Sequence, residues 1–524
     1  MTPPDLIVRG GLVFDGTGAP PVKADVAVSG GRVAEVGHIR ASAALEIDAR
    51  GLNVTPGFID IHSHSDYTLL VDPRAVSAVH QGVTTEVVGN CGHGCFPIRD
   101  RALSTRIIYG YDGQVPIDWS TPAAYLERLQ RARPAVNVMT LVPNGQLRLA
   151  TVGLDDRPAD DGEVAGMKHL LEEGLDAGAW GYSTGLEYAT EQGAREPEIT
   201  ALAAAAARRG GIYATHTRDR DDGAVGAVEE AIRTARAAGA RLQVSHLAPR
   251  SGPEHTARCV DAVDDARAAG DDVAFDMHTR LYGLTFLYAM LPQWLLGESP
   301  ESQVRHLGMP ASRERIRSHR SIITGLGDWG RVYLLDNDVW PDLARADFEE
   351  IGRRRGSSAF DAACDLLRDS AGAGRPPMVI MRSYTPEMQE SVFAHDLCVP
   401  GSDATALAPD GPLAGSAFMG AYGWAAWFWR FMVRETGRLT PEAAVHKLSG
   451  RPAAIMGLSD RGVLAPGMRA DLAVFDAGRF ADTATTFDPN RLATGMRHVV
   501  VNGTITVRDG TLTGERGGEV LRTG

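Results

Sequence analysis

The 524-residue sequence contains few lysines and few cysteines, and its net charge is negative. Only three lysines occur, so a site built on lysine has few candidates: Lys23, Lys168 and Lys447. The five cysteines are scattered and odd in number, unlike the cysteines of a disulfide framework. The formal net charge of -13 argues against nucleic acid, whose recognition depends on basic contacts to phosphates, and against an anionic membrane surface.

The sequence also lacks a long apolar run. No segment approaches the length of about 20 apolar residues that a membrane-spanning helix needs, and residues 1–4 lead directly into an apolar segment without the pattern of a signal peptide. We therefore expect a cytoplasmic protein with no membrane partner. The hydrophobic content of 44% and the charged content of 23% are ordinary for a globular enzyme.

The two ends of the chain share one pattern and the middle has another. Residues 5–56 and the C-terminal region alternate apolar and polar positions between glycine turns, which predicts short strands without helices. Two strand-rich ends around a different middle predict one small β-sandwich domain, built from residues 1–56 and 458–524.

Residues 57–457 alternate apolar, strand-like segments with alanine-rich helical stretches. The strand-like segments begin near residues 58, 83, 136, 179, 211, 241, 272 and 397. Eight such segments predict an α/β fold with a TIM-like (β/α)8 barrel. A doubly wound open sheet is the alternative, but no GxGxxG motif opens a helix. Residues 281–395 are long for one crossover, and we predict that they contain an insertion or lid over the barrel mouth.

Residue types that bind metals recur where the predicted barrel strands end. His62 and His64 follow an apolar run, and their spacing places both on one face of a strand. Later strand ends supply Cys91, His216, His246 and Asp403. A barrel gathers the carboxyl ends of its strands at one face, so these six residues together predict a metal site. Each residue alone also has a structural explanation, such as a buried histidine, a small apolar cysteine or an aspartate that caps a turn.

A thiolate combined with imidazoles favours zinc over magnesium or calcium. The sequence predicts one tight position and a second, weaker one. The tight position would use Cys91, His216 and His246. The weaker position would use His62, His64 and Asp403. Zinc would lower the pKa of a bound water and make it a hydroxide nucleophile, and Asp403 would act as the general acid–base that passes the proton to a leaving amine.

Several segments resemble the amidohydrolase superfamily and, within it, the N-acyl-D-amino-acid deacylase (D-aminoacylase) branch. PGFIDIHSH at 56–64 resembles the first-strand signature of the superfamily. Five further segments resemble the branch: GNCG at 89–92, GYSTGLEY at 181–188, THTRD at 215–219, SH at 245–246 and DRGVLAPGMRADL at 460–472. The resemblance covers nearly the whole chain. It implies the metal and acid–base roles given above.

The resemblance also implies that a cysteine replaces the carboxylated lysine that bridges the metals in hydantoinases and dihydroorotases. The lysine count supports this point independently, because no lysine lies on a predicted barrel strand. A centre built on a carboxylated lysine is therefore not expected in this chain.

The sequence departs from the branch in three elements that the resemblance implies for holding the substrate α-carboxylate. A lysine two positions after His246, a Tyr-Pro-Tyr after the seventh strand and a His-Pro-Arg after Asp403 are all missing. Arginines are suited to replace them, and the candidates are Arg250, Arg280 and Arg382, although each is otherwise interpreted as a solvated surface residue. Tyr188 and Arg218 match family positions near the pocket.

The predicted function is that of a zinc-dependent amidohydrolase that cleaves a linear amide C–N bond in N-acyl-D-amino acids or related N-acyl compounds. The expected partner is a small N-acyl substrate. One alternative is an amidohydrolase for an amide without a free α-carboxylate, such as a cyclic amide or an acylated secondary metabolite. Another is a non-catalytic metal-binding barrel.

Overall fold

The centre of the molecule is a closed barrel of parallel strands. The computed structural model describes residues 3–325, 327–371 and 377–523. Barrel strands 1 to 8 are Phe58–Asp60, Val83–Val88, Asn137–Thr140 continued by Val142–Pro143, Gly181–Gly185, Ile212–His216, Arg241–Val244, Val273–His278 and Cys398–Gly401. Neighbouring strands pair in parallel. The barrel closes where the Asp403 amide donates to the His62 carbonyl at 2.8 Å. The predicted α/β barrel is thus confirmed.

Helices cover the outside of the barrel, and both faces of its strands are therefore buried. They are Thr68–Val71, Val76–Val79, Arg101–Ser104, Pro122–Ala132, Asn144–Thr151, Asp161–Asp176, Glu196–Ala207, Ala224–Ala238, Pro253–Ala268, Pro386–Ala394, Trp424–Trp429, Pro441–Leu448 and Gly450–Met456, with 3-10 turns at Thr105–Ile107 and Gly411–Leu413 and a π-helical segment at Arg430–Glu435. Side-chain caps fix several starts: Thr121 and Asp160 each accept a hydrogen bond from a first-turn amide. Asp160 forms a capping box with Glu163.

Both chain ends contribute to one nine-stranded sheet. Its strands are Leu6–Val13, Val22–Ser29, Arg32–Gly37, Leu45–Asp48, Asn53–Pro56, Leu472–Phe475, Met496–Val501, Thr504–Arg508 and Thr511–Leu512. The two ends meet where Asn53–Pro56 pairs antiparallel with Leu472–Phe475. Buried aliphatic side chains from both ends, including Val26 and Val500, share one apolar cluster. The prediction that the two termini build a common β-structure is confirmed.

A separate unit lies between barrel strands 7 and 8. Three antiparallel strands, Tyr282–Phe286, Val332–Leu334 and Met378–Arg382, form a small sheet with Met378–Arg382 in the middle. Its helices are Gln293–Leu296, Pro300–Leu307, Pro310–Arg317, Phe348–Arg355 and Ala359–Asp369, and its 3-10 turns are Leu287–Met290, Trp329–Arg331 and Pro341–Leu343. The unit has its own apolar cluster, which includes Leu287 and Phe348. Its action as a lid stays a prediction.

The three lysines all lie away from the barrel strands, as the sequence indicates. Lys23 lies in the strand Val22–Ser29, Lys168 in the helix Asp161–Asp176 and Lys447 in the helix Pro441–Leu448. Among the described helices, none is both long enough and apolar enough to cross a membrane.

Candidate metal centre

The six candidate ligands lie together at the carboxyl ends of five barrel strands. They form two groups whose ligand atoms lie within 4.8 Å of one another: His62, His64, Cys91 and Asp403 in the first, and Cys91, His216 and His246 in the second. Cys91 therefore belongs to both groups. This arrangement agrees with the resemblance, which implies that the cysteine replaces a lysine that bridges two metals, and it adds a contact to the weaker position that the ligand sets predicted from the residues did not include.

Three of these ligands have an unusual backbone conformation. The φ angles of Cys91, His246 and Asp403 are 54°, 33° and 44°, in the left-handed region that non-glycine residues rarely adopt. Each such residue costs about 1–3 kcal/mol, and such residues concentrate at active sites. All three follow the end of a barrel strand by two or three residues, so the turn that leaves the strand aims the side chain into the barrel mouth.

His62 is held in place by a carboxylate from barrel strand 7, two strands away in the closed barrel. Its Nδ1 lies 3.0 Å from Oδ1 of Asp276, and its Nε2 lies 3.2 Å from Sγ of Cys91. Asp276 also accepts hydrogen bonds from the His246 amide at 2.8 Å and from Gln243 at 3.0 Å. A carboxylate that fixes the ring of a ligand histidine leaves the other ring nitrogen free for the metal.

His216 has a similar partner. Its Nε2 lies 2.8 Å from Oε2 of Glu187, and Glu187 is in turn ion-paired with Arg250. Burial raises the pKa of Glu187, but Arg250 and His216 outweigh this effect and hold the pKa well below its ordinary value. Burial lowers the pKa of His216 to about 4, so the ring is neutral at physiological pH, which is the form that binds metals.

The donor set fits zinc. Nδ1 of His64, His216 and His246 is buried and has no hydrogen-bond partner among the described residues, an arrangement that costs free energy unless a ligand supplies the missing contact. The Cys91 thiol is buried between His62 and His246. Imidazoles and a thiolate, with one carboxylate beside them, are the donors that zinc prefers.

Asp403 contacts both the ligand cluster and a cation. Its Oδ1 lies 3.1 Å from Nε2 of His64 and 3.5 Å from Nε2 of His62, while its Oδ2 accepts from Nη2 of Arg280. Arg280 also donates to the Asp403 carbonyl at 2.7 Å and to the Met419 carbonyl at 2.8 Å. Burial raises the pKa of Asp403, but Arg280 and His64 outweigh it and keep the pKa well below the usual range. Asp403 is therefore a carboxylate.

A cavity opens beside the cluster, and the unit between strands 7 and 8 supplies part of its wall. Leu284, Ile322, Met381 and Tyr384 come from this unit or its connection to strand 8. Tyr109, Tyr188 and Phe418 line the barrel side, together with His278 and the arginines Arg220, Arg250 and Arg280.

The residues predicted to bind substrate are distributed unevenly. Tyr188, Arg250 and Arg280 line the cavity. Arg218 does not line it, because its guanidinium pairs with Glu230 of the helix Ala224–Ala238 at 2.8 Å. Arg382 is exposed, because side chains alternate along a strand and the neighbouring Met381 faces the cavity instead.

Several cavity and supporting residues were not anticipated from the sequence. Asp276 and Glu187 orient ligand histidines, and Arg220, His278 and Tyr384 line the cavity. Asp276 had a usable signal, since it lies near the carboxyl end of barrel strand 7, where a barrel places functional residues. Glu187 lies next to Tyr188 in a segment already singled out. Arg220 had no distinguishing pattern among fifty arginines.

Comparison with known proteins identifies relatives that match nearly the whole chain. The model of the amidohydrolase family matches residues 45–279 and 339–507. The chain is 33% identical over 507 residues to the N-acyl-D-glutamate deacylase of Alcaligenes xylosoxydans xylosoxydans, which covers 95% of this chain and 93% of that protein. A crystal structure of D-aminoacylase matches with a TM-score of 0.82 and 30% identity, covering 99% of this chain and 100% of that one.

A second solved structure also matches over the full length. It is the N-acyl-D-glutamate deacylase of Bordetella bronchiseptica, complexed with zinc and with a phosphonate inhibitor that mimics the tetrahedral intermediate of its reaction. The TM-score is 0.80 at 30% identity, and the match covers 100% of both chains. The chain therefore belongs to the amidohydrolase family. Within that family it is a metal-dependent hydrolase of the D-aminoacylase type, which acts on linear amide C–N bonds.

Proposed function

We propose that this protein hydrolyses the amide bond of N-acyl-D-amino acids or closely related N-acyl compounds, with zinc as its metal. The observation that carries the proposal is the pair of ligand groups that share Cys91 at the barrel mouth, beside the carboxylate of Asp403. Support also comes from the relatives, which include an N-acyl-D-glutamate deacylase and a D-aminoacylase.

In this proposal the tight metal position is held by Cys91, His216 and His246, and the weaker position by His62, His64 and Asp403. Zinc bound in this centre supplies Lewis acidity, which activates water and polarises a carbonyl oxygen. The protein supplies the orientation. Asp276 and Glu187 fix the rings of His62 and His216 through the nitrogen that does not face the cluster.

Asp403 is the proposed general acid–base. Its Oδ1 lies beside Nε2 of both His62 and His64, while Arg280 holds its Oδ2. As a carboxylate it accepts the proton of the attacking water, and it then donates that proton to the nitrogen of the leaving amine. General acid–base catalysis of this kind contributes about 10²–10⁴-fold to a rate.

The proposal is tested by quantifying zinc in the purified protein and assaying N-acetyl-D-amino acids against their L-enantiomers. We expect hydrolysis of the D-enantiomers, and a loss of about 10²–10⁴-fold in kcat/KM for Asp403→Asn with the zinc at Cys91, His216 and His246 retained. Asp410→Asn is the matched control, because Asp410 is an exposed aspartate paired with Arg74. Full activity in Asp403→Asn would contradict the role given to Asp403.

One observation favours a second candidate, an amide that lacks a free α-carboxylate. Two of the arginines predicted to hold that carboxylate, Arg250 and Arg280, are already paired with acidic side chains. Including the α-carboxamides of the same substrates decides the question, since turnover of the carboxamides alone would support this candidate. A zinc-loaded protein that hydrolyses no member of the panel would instead indicate a non-catalytic metal-binding barrel.

A further inference from the structure

The three arginines of the cavity differ in how their charge is compensated. Arg250 is ion-paired with Glu187 and with Asp221, whose Oδ1 lies 2.8 Å from Nε. Arg280 is ion-paired with Asp403. Arg220 forms no ion pair within 4.0 Å with any described carboxylate, although this residue is only 6% exposed.

The contacts of Arg220 position its guanidinium without neutralising it. Nη2 donates to the carbonyls of His246 and Ala248 at 2.6 and 2.9 Å, and to the hydroxyl of Tyr384 at 2.8 Å. All three acceptors are uncharged. Nε is buried without a hydrogen-bond partner in the described part of the chain, and no described acceptor bonds Nη1 either.

A buried cation without a counter-ion is unfavourable, and proteins normally pair such a group or place it where a ligand completes it. Arg220 lies in the cavity wall with Tyr384 and His246, so a ligand in the cavity is the available source of negative charge. The carboxylate of an N-acyl amino acid is such an anion, and a charge-assisted hydrogen bond to a guanidinium is among the strongest that proteins form.

We infer that Arg220, placed by Tyr384 and the strand-6 loop, binds the α-carboxylate of the substrate, and that the cavity accepts a substrate with one carboxylate and an uncharged side chain. This inference rests on the proposed function. It assigns to Arg220 the binding task for which the sequence suggested Arg250, Arg280 and Arg382.

The second half of the inference follows from the remaining cavity wall. Leu284, Ile322, Met381 and Phe418 offer apolar surface, and Tyr109 adds an aromatic ring. No second uncompensated arginine or lysine occurs among the lining residues that the structure describes. A D-glutamate or D-aspartate side chain would therefore bring a second carboxylate into the cavity without a cation to meet it.

The first experiment combines two enzymes with two substrates. Wild type and Arg220→Gln, both loaded with zinc, are assayed on N-acetyl-D-leucine and on its α-carboxamide. We expect Arg220→Gln to lose about 30-fold or more in kcat/KM on the acid, mainly through KM, and to stay within about 3-fold of wild type on the carboxamide, which the lost charge does not affect. Arg220→Lys keeps the charge and is expected to recover part of the loss.

Arg236→Gln is the control substitution, since Arg236 is an exposed arginine paired with Asp271 on the outer helix layer. We expect it to leave both substrates unaffected. Equal losses on the acid and the carboxamide in Arg220→Gln would overturn the inference, because they would show a structural role for Arg220. In that case hydrolysis of N-acetyl-D-leucine by the wild type would still support the proposed function.

The second experiment tests the side-chain prediction with an isosteric pair. N-acetyl-D-glutamine and N-acetyl-D-glutamate differ by one charge. We expect the kcat/KM of the wild type to be about 10-fold or more higher for the glutamine substrate, because the glutamate side chain would bury an unpaired charge. A preference for N-acetyl-D-glutamate would overturn this half of the inference.

A binding measurement separates failure of the inference from failure of the proposed function. Calorimetry on zinc-loaded wild type and Arg220→Gln compares the affinity for D-leucine and for D-leucinamide. Weaker binding of D-leucine alone in the variant would support the carboxylate site even if no substrate were hydrolysed. Unchanged D-leucine binding in Arg220→Gln would overturn it.

Discussion

The buried candidate ligands at the carboxyl ends of the barrel strands differ from the buried Arg148 of the surrounding helical layer. At the strand ends, His64, His216 and His246 each have a buried ring nitrogen without a described hydrogen-bond partner. The guanidinium of Arg220 has no ion-pair partner among the described residues. In the helical layer, Arg148 is also buried, but all three of its guanidinium nitrogens have hydrogen-bond partners. Its Nη1 pairs with Glu198 at 2.5 Å, Nε donates to the Thr190 carbonyl at 3.0 Å and Nη2 to the Arg157 carbonyl at 2.8 Å.

The backbone shows a related feature. Three of the candidate ligands, Cys91, His246 and Asp403, have positive φ angles, whereas in the helical layer the positive φ angles of Ala75 and Arg133 occur at the ends of helices. Strained or incompletely paired groups persist in a protein when a function requires them. In the proposed function the strand ends hold a metal ion and the substrate, whereas Arg148 in the helical layer stabilises the fold. Substitutions at the strand ends should therefore affect zinc binding, and substitutions in the helical layer should affect stability.

The largest effect is expected for Cys91→Ser, because Cys91 belongs to both ligand groups. A serine hydroxyl is a much weaker zinc donor than a thiolate. We expect loss of tightly bound zinc and of hydrolysis, measured by metal analysis and by turnover of N-acetyl-D-leucine. The unfolding temperature of the variant should also stop responding to zinc, whereas wild type at 100 times the dissociation constant gains about 2.7 kcal/mol.

Cys95→Ser is the matched control. Cys95 is also a buried free cysteine, four residues along the chain, but it lies in neither ligand group. It should keep its zinc and its activity. If the two serine variants bound zinc equally well, the assignment of Cys91 to the centre would be wrong.

The fold and the candidate ligands were accessible from sequence because both follow from local patterns. Buried parallel strands appear as apolar runs, and a barrel brings the residues after those runs to one face. His62, His64 and His216 were found in this way, although their positions are up to 154 residues apart. The cysteine at position 91 and the absence of lysine from the predicted strands then argued against a carboxylated-lysine centre.

The partners of those ligands were not accessible, because they depend on distances across the fold. Whether an arginine is free depends on which carboxylate reaches it: Arg250 meets Glu187, 63 residues away, and Arg280 meets Asp403, 123 residues away. Nothing near Arg220 in the sequence indicates that it stays unpaired. Charge compensation is a property of the packed cavity, so the sequence could not show that Arg250 and Arg280 are paired with acidic side chains.

A smaller effect on the centre is expected for Glu187→Gln, which removes a partner of His216 without removing a ligand. Neutral glutamine orients the ring less firmly, and the loss of such a supporting carboxylate typically costs 10–100-fold in metal affinity or activity. We expect a loss in this range, measured by zinc titration of the metal-free protein. Glu198→Gln, a buried carboxylate of the helical layer, should leave the affinity unchanged. Equal losses in both variants would mean that the effect is one of general stability.

The smallest effect on the centre, and a large effect on folding, is expected for Arg148→Met. The substitution leaves the buried carboxylate of Glu198 without its counter-ion, and breaking a buried pair in this way costs about 3–5 kcal/mol of unfolding free energy. Denaturation of the metal-free protein measures this cost, and metal analysis of the folded fraction should show normal zinc. The double variant Arg148→Met with Glu198→Leu should recover most of the stability, because two apolar side chains replace the pair. If Arg148→Met also lowered zinc binding by the folded protein, the helical layer and the strand ends would be coupled, and the division of roles between them would be wrong.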